Sequence, residues 1–145
     1  MKSRPELTHE ARVALNEAIT ACGLRSTRQR DHIFAVLLEK RDHPTVDEVY
    51  ERAKSTMPHI SLATVYNCLE ALVNCGLVRQ VNLERESSRY CPNLQEHAHF
   101  HCKKTSRVYD IPLPESTIES LKSVVPKEFD LEAIEIHFKG SQKKT

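Results

Sequence analysis

The stretch that decides the fold is Ser61–Gly76, which reads SLATVYNCLEALVNCG. Ser61 is a typical N-cap residue and Gly76 a typical helix end. At about 100° per residue, apolar side chains recur on one face: Leu62, Val65, Cys68, Leu69 and Leu72. The other face is small or polar, with Tyr66 at its border: Ala63, Thr64, Asn67 and Glu70. The pattern predicts an amphipathic helix over 62–74 whose small polar front can lie in a DNA major groove.

Three helices are predicted before this one and a hairpin after it. Helical periodicity recurs over residues 8–22, 27–38 and 45–53. Beyond Gly76, the segment Leu77–Leu83 alternates between apolar and polar residues. A polar turn at Glu84–Ser88 leads to a return strand at Ser88–Tyr90. Several short helices followed by a hairpin favour a winged helix.

The second half of the chain has a different pattern. Two strands are predicted, at the alternating segment His97–Cys102 and at the short segment Val108–Ile111. A helix is expected at about Glu115–Val125, and Phe129–Phe138 alternates as a further strand with core residues. We therefore predict an α+β chain, with an N-terminal winged-helix DNA-binding domain in residues 1–90 and a C-terminal α/β domain in residues 91–145.

Composition limits the class of protein. The chain has 145 residues, a net charge of +1 and five cysteines. It holds no apolar run approaching the about 20 residues that a membrane span needs, and its start is polar rather than signal-like. We therefore expect a cytoplasmic protein with no membrane partner, in which cysteines bind metal or lie buried rather than form disulfides.

Because the net charge is so small, DNA binding must depend on local clusters of charge. Arg25, Arg28 and Arg30 lie together just before the second helix, where they can clamp phosphates or enter a minor groove. The alternative is that they form a solvated turn, since any amphipathic helix also has a polar front.

A metal site is indicated by His97, His99 and His101, which alternate and so project from one face of a strand. Cys91 precedes them across a presumed turn. A set of imidazole and thiolate ligands suits Zn²⁺ best and is also used by Fe²⁺. The alternative is a solvated edge strand that happens to be rich in histidine.

The chain resembles the ferric uptake regulator superfamily over roughly residues 10–140. The motifs that carry the resemblance occur in the family's order and spacing: Cys22–Arg30, Asp42–Thr45, Ser61–Tyr66, Gly76–Val78, His97–Cys102 and Asp110. The resemblance implies a homodimer that represses metal-homeostasis genes by binding a palindromic operator in double-stranded DNA when metal is bound. The C-terminal domain is then the dimerisation domain.

Family positions imply particular DNA contacts. Tyr66 is expected to touch bases, and Arg25 and Arg30 the backbone or minor groove. Asn67 stands where the family often has arginine, which puts the operator preference in doubt. The predicted DNA-binding residues are Arg25, Arg28, Arg30, Ser61, Thr64, Tyr66 and Asn67.

The resemblance also implies one regulatory site per subunit, which holds Zn²⁺ or Fe²⁺. Its predicted ligands are His43, Cys91, His97 and His99, with Asp110 as a further ligand or as the partner that orients a histidine. A cysteine at the position of Cys91 resembles the zinc uptake regulators more than the iron or peroxide sensors. The family's structural four-cysteine zinc site is absent, because the chain has no Cys-x-x-Cys pair.

The remaining cysteines and histidines are expected to be structural. Cys22, Cys68, Cys75 and Cys102 are predicted to be buried. His101 is either a spare ligand or, as we favour, a surface residue or a partner of a ligand. No role is predicted for the other histidines, which lack partners at ligand spacing: His9, His32, His59 and His137.

Three other functions compete with a simple metal sensor. The Cys91-Pro92 dipeptide occurs at some haem-responsive sites, and iron at a histidine-rich site could serve a peroxide sensor. A zinc enzyme is the remote alternative. The chain has no His-Glu-x-x-His motif, nucleophile elbow or phosphate loop, so we expect that it is not an enzyme.

Overall fold

The computed structural model describes residues 4–83 and 86–143. These residues form two compact units, within Met1–Leu94 and Gln95–Thr145. The predicted turn at Glu84–Ser88 lies partly outside the described residues. Within them, no helix is both long and apolar enough to cross a bilayer.

Unit 1 contains four helices followed by a two-stranded antiparallel sheet. The elements are α1 (His9–Ala21), α2 (Arg28–Glu39), α3 (Val46–Lys54), α4 (Leu62–Asn74), β1 (Arg79–Val81) and β2 (Arg89–Cys91). The hairpin pairs Arg79 with Cys91 and Val81 with Arg89. This is the predicted order of a winged helix, with the hairpin as its wing.

Local signals fix the ends of these helices. A hydroxyl accepts a hydrogen bond from a backbone amide of the first turn at the start of each one: Thr8, Thr27, Thr45 and Ser61. Gly23 and Gly76 adopt φ of +74° and +77°, which lets the chain turn back after α1 and α4. The predicted helix ends are confirmed to within one or two residues.

One hydrophobic cluster holds unit 1 together. Val65, Leu69 and Leu72 of α4 are fully buried, and they belong to the same cluster as Ile33 of α2 and Val49 of α3. The predicted apolar face of α4 is therefore confirmed except at its start. Leu62 is exposed. It is the first residue of α4 and does not belong to the hydrophobic cluster that buries the following turns.

Unit 2 is a three-stranded sheet with one helix. The central strand β3 (His97–Cys102) pairs antiparallel with β4 (Val108–Pro112) and parallel with β5 (His137–Gly140), and α5 spans Glu115–Val124. The prediction of a strand from Phe129 was wrong, because regular pairing begins only at His137. In the parallel register of His99 with His137, residues before 135 lie beyond the start of β3 at His97, so β3 offers them no strand to pair with. Phe129 and Leu131 are consequently exposed.

Candidate metal centre

In unit 2, strand geometry brings two imidazoles and a carboxylate together. His97 and His99 project from the same face of β3, and His99 pairs directly with Asp110 on β4. The Nε2 atoms of the two histidines are 3.0 Å apart. Oδ1 of Asp110 lies 3.2 Å from Nε2 of His97 and 3.4 Å from Nε2 of His99. Three potential ligand atoms therefore converge on one point.

The spacing of these atoms fits a metal ion. Ligand atoms placed about 2.0–2.1 Å from a tetrahedral Zn²⁺ lie about 3.3 Å from one another. Nδ1 of His97 also contacts the backbone carbonyl of Gln95, so Nδ1–H donates there and the lone pair is left on Nε2. The set made by His97, His99 and Asp110 is thus oriented for coordination in unit 2.

His137 belongs to the same face of the sheet, which the sequence did not reveal. It pairs with His99 across the parallel strands, and the two rings stack with centroids 5.9 Å apart. Its buried Nδ1 has no hydrogen-bond partner among the described residues. His101 is half-buried one step further along β3. The place of His137 beside His99 depends on the parallel pairing of β5 with β3. The sequence does not indicate this pairing, because it joins residues that are far apart in the chain.

Unit 1 places the other two predicted ligands together. The donor atoms of His43 and Cys91 lie within 4.8 Å of each other, and both residues are buried. The wing causes this approach: the Tyr90 amide donates to the Pro44 carbonyl at 3.0 Å. Nη1 of Arg89 donates to the His43 carbonyl, also at 3.0 Å. β2 therefore carries Cys91 against the segment that carries His43.

His43 is held in an unusual backbone conformation. Its φ of +55° lies in the left-handed region, which residues other than glycine rarely adopt. Such strain persists where the surroundings fix it, and it often accompanies functional sites. The neighbouring Asp42 accepts two hydrogen bonds of 2.7 Å from the Arg52 guanidinium on α3. These contacts attach the segment before α3 on both sides of His43.

The ion pair with Arg52 keeps Asp42, in the segment before α3, ionised. Burial alone would raise the pKa of Asp42, but the hydrogen bonds and positive charge of Arg52 outweigh it and hold the pKa below its usual value. Lys40 lies 3.7 Å from the same carboxylate and adds to the effect. Asp42 therefore remains ionised as a support for the segment.

The predicted DNA-binding residues of unit 1 differ in exposure. Tyr66 is 52% exposed, and Asn67, Arg25 and Arg28 are also exposed. Arg30 is half-buried and donates from Nη1 to the Arg25 carbonyl at 2.6 Å.

Two hydroxyls at the start of α4 are engaged with each other. The Ser61 and Thr64 hydroxyls lie 2.9 Å apart, and the Ser61 hydroxyl also accepts from the Thr64 amide. The prediction that these residues present hydroxyl groups to DNA therefore has a structural alternative, which is capping of α4.

The cysteines outside the site divide into two kinds. Cys68 and Cys102 are buried as predicted. Burial raises the pKa of Cys68 to about 11, whereas hydrogen bonds, first from the Thr105 side chain, lower the pKa of Cys102 to about 7. Cys22 is exposed, so its assignment to the core was wrong. Cys75 is half-buried and packs against the hydrophobic cluster of unit 1, which agrees with its assignment. Both are C-cap residues, where the covered helix face ends.

Known proteins share this arrangement of elements. A sequence profile of the ferric uptake regulator family matches residues 21–139. The peroxide-responsive repressor PerR of Staphylococcus epidermidis is 35% identical over 104 residues, which are 70% of this chain and 69% of the relative. The ferric uptake regulator Fur of Helicobacter pylori superposes with a TM-score of 0.77 at 20% identity, over 98% of this chain and 95% of that one. A zinc-bound manganese uptake regulator superposes with a TM-score of 0.64 at 30% identity, over 89% and 98%.

Proposed function

Because the chain belongs to the ferric uptake regulator family, we propose that it is a homodimeric repressor that binds a palindromic operator in double-stranded DNA when metal is bound. Membership makes it a metal-responsive transcriptional regulator and not an enzyme. We assign DNA binding to residues 1–90 and dimerisation to residues 91–145, and we place the protein in the cytoplasm.

The observation that carries the metal assignment is the convergence of His97, His99 and Asp110 in unit 2, with 3.0–3.4 Å between their ligand atoms. We propose that one ion takes these ligands together with His43 and Cys91 of unit 1. Its role is to tie the DNA-binding domain to the dimerisation domain. To move the DNA-competent state from 1:99 to 99:1, binding must favour that state by about 5.5 kcal/mol.

The ligand types favour Zn²⁺ over Fe²⁺. A thiolate is a soft ligand and bonds Zn²⁺ at about 2.3 Å, and Cys91 supplies one. The similarity to a zinc-bound manganese uptake regulator is consistent with this choice. The two imidazoles and the carboxylate of unit 2 also suit Fe²⁺, so iron is the second metal to test.

Exposed apolar side chains in unit 2 support the dimer. Val124 is 77% and Phe129 is 62% exposed, and Leu131 and Phe138 are exposed as well. Large apolar side chains exposed on a small unit often mark a surface that a partner covers. In a closed homodimer the same patch on both copies covers itself. We propose that a second copy of this chain covers these residues.

The DNA contacts are proposed from exposure and family position. Tyr66 and Asn67 lie exposed on α4, and Arg25 and Arg28 are exposed before α2. We propose that the first pair reads base edges and the second pair contacts phosphates. Arg30, with one Nη1 hydrogen bond already made to Arg25, is proposed as a weaker contact, as are the engaged hydroxyls of Ser61 and Thr64.

The test combines metal content with DNA binding. Purified chain is prepared as wild type, Cys91→Ser and the exposed control Cys22→Ser, and operator-type DNA binding is followed as Zn²⁺ or Fe²⁺ is titrated. We expect about one zinc per subunit in the wild type and in Cys22→Ser, and weak zinc binding in Cys91→Ser. We also expect Zn²⁺ to strengthen DNA binding more than Fe²⁺ does. DNA binding that is equally strong with chelator and with metal would overturn the proposal.

A peroxide-responsive repressor is the second candidate. The observation that favours it is the 35% identity to the Staphylococcus epidermidis peroxide-responsive repressor. Iron-loaded protein treated with peroxide would then lose operator binding and gain oxygen on a ligand such as His97 or His99. Zinc-loaded protein serves as the control, because Zn²⁺ has no redox chemistry.

The haem alternative has less support. Cys91 and Pro92 are both buried, so the dipeptide presents no exposed face for a haem. We expect no Soret band when haem is added to the folded protein.

A further inference from the structure

Two thiols meet on the surface of unit 1, away from the predicted metal ligands. Cys22 is the C-cap of α1 and Cys75 the C-cap of α4. The Cys22 thiol donates to the Asn74 carbonyl, with sulfur and oxygen 3.9 Å apart, so it lies against the residue that precedes Cys75. The Cys22 side chain is also close enough to the Cys75 thiol to contribute to the raised pKa of that thiol. Neither residue has a place in the proposed DNA or metal contacts.

The same short sequence forms both ends of the contact. Cys22-Gly23-Leu24 and Cys75-Gly76-Leu77 each follow a helix. In each, the leucine amide donates to a carbonyl of the last turn, at 3.0 Å from Leu24 to Ile19 and from Leu77 to Leu72. Both cysteines are therefore held in firmly capped helix ends. Their side chains do not depend on a mobile loop for their position.

Solvent can reach this pair. Cys22, Gly23, Asn74 and Gly76 are all exposed, and Cys75 is half-exposed. A Cβ placed on either of the glycines that follow the two cysteines would meet no atom within 4 Å, so the space beside each glycine is open. A small oxidant can therefore approach Cys22 without any opening of the fold.

We propose that Cys22 and Cys75 are a redox-active dithiol that hydrogen peroxide or another small hydroperoxide converts to a disulfide within the DNA-binding domain. This inference does not depend on the proposed metal centre. It assigns a modification site to the C-terminal ends of α1 and α4.

The chemistry balances with one peroxide. The Cys22 thiolate attacks one peroxide oxygen, the O–O bond breaks, and the other oxygen leaves as hydroxide, which takes up the thiol's proton to give water. Cys22 is then a sulfenic acid. The Cys75 sulfur attacks the Cys22 sulfur, so that an S–S bond forms, the S–O bond breaks and a second water leaves with the Cys75 proton. Two thiols lose two electrons, and one peroxide is reduced to two waters.

The order of attack follows from the surroundings. Burial, followed by the contact with Cys22, raises the pKa of Cys75 to about 11, although the charge of Arg30 acts against this. Cys75 is therefore the poorer first nucleophile, because the thiolate is the reactive form. Cys22 is the exposed member and is assigned the first attack, with Cys75 as the resolving thiol.

The experiment uses the full chain with chelator present, so that no iron can oxidise the histidines. Native protein is treated with hydrogen peroxide, its remaining thiols are alkylated after denaturation, and the products are mapped by mass spectrometry. We expect the monomer to lose about 2 Da before alkylation, and the digest of the alkylated protein to contain a Cys22–Cys75 cross-linked peptide. A thiol reductant should reverse the change.

Two variants separate the pair from other thiols. Cys22→Ser removes an exposed side chain and should leave thermal unfolding unchanged, yet it should abolish the mass loss. Cys75→Ala should instead let Cys22 accumulate as a sulfenic acid that a dimedone-type probe captures. A wild-type chain that keeps all its thiols while control peptides oxidise would overturn the inference. So would a disulfide between other cysteines or between two chains.

Discussion

Replacement of His97 by alanine tests the metal centre most directly. Its Nε2 lies 3.0 Å from Nε2 of His99 and 3.2 Å from Oδ1 of Asp110. His97→Ala therefore removes one of the three ligand atoms that converge in unit 2. Four-ligand structural zinc sites bind with about 10–16 kcal/mol in apparent free energy. Divided equally among the five proposed ligands, this is about 2–3 kcal/mol each, which corresponds to a Kd for zinc weakened by about 30- to 200-fold.

The matched control is His101→Ala, on the same strand and the same face. Because His101 lies one step beyond the converging atoms, its removal should change the zinc Kd by less than about threefold. The assay is competition of each protein against a chromophoric zinc chelator, with thermal unfolding of the metal-free proteins to establish folding. The reasoning fails if His101→Ala weakens binding as much as His97→Ala, since the ligand set would then be misassigned along β3.

Three further outcomes are expected. Leu69→Ala leaves a cavity at a fully buried position of α4 and should lower the free energy of unfolding in urea by about 2–5 kcal/mol. Leu62→Ala, at an exposed position of the same helix, is the control and should lower it by less than about 1 kcal/mol. Tyr66→Ala should weaken operator binding by about 1–3 kcal/mol in fluorescence anisotropy and leave the unfolding midpoint unchanged; an unaffected Kd would remove Tyr66 from the interface. Asp42→Asn should lower stability by about 0.5 kcal/mol at neutral pH. Burial is outweighed by the hydrogen bonds and charge of Arg52, which lower the pKa of Asp42 in the folded state, so that contribution is present above the unfolded pKa of about 3.9 and disappears as pH falls through the folded value. Wild-type and variant curves of stability against pH that keep the same separation from neutral pH to below the folded pKa would contradict the assignment.

The winged-helix half could be predicted because its signals are local. The N-cap at Ser61 and the left-handed Gly76 lie within a few residues of the helix ends that they set. The helical period then identified the buried face of α4. Each of these features is determined by residues that are neighbours in sequence, so no knowledge of long-range pairing was needed.

The sheet of unit 2 could be predicted only in part. His97 and His99 are two residues apart on one strand, so their shared face follows from strand geometry. Their approach to Asp110 depends on the register of β3 with β4, and the approach of His137 depends on a parallel ladder with β5. A register is set by the packing of the whole unit, so it could not be read from either strand alone.

Cys22 and Cys75 show where helical periodicity stops predicting burial. Cys68 and Cys75 both lie on the apolar face of α4, and Cys68 is buried while Cys75 is half-exposed. The same contrast separates Ile19, buried on α1, from the exposed Cys22. A helical stripe predicts burial only where other elements cover it, and both stripes lose that cover at a capped helix end. An exposed cysteine at such an end keeps the access to small oxidants that a buried cysteine loses, so Cys22, beside the half-buried Cys75, is better understood as the reactive member of a pair than as a core residue.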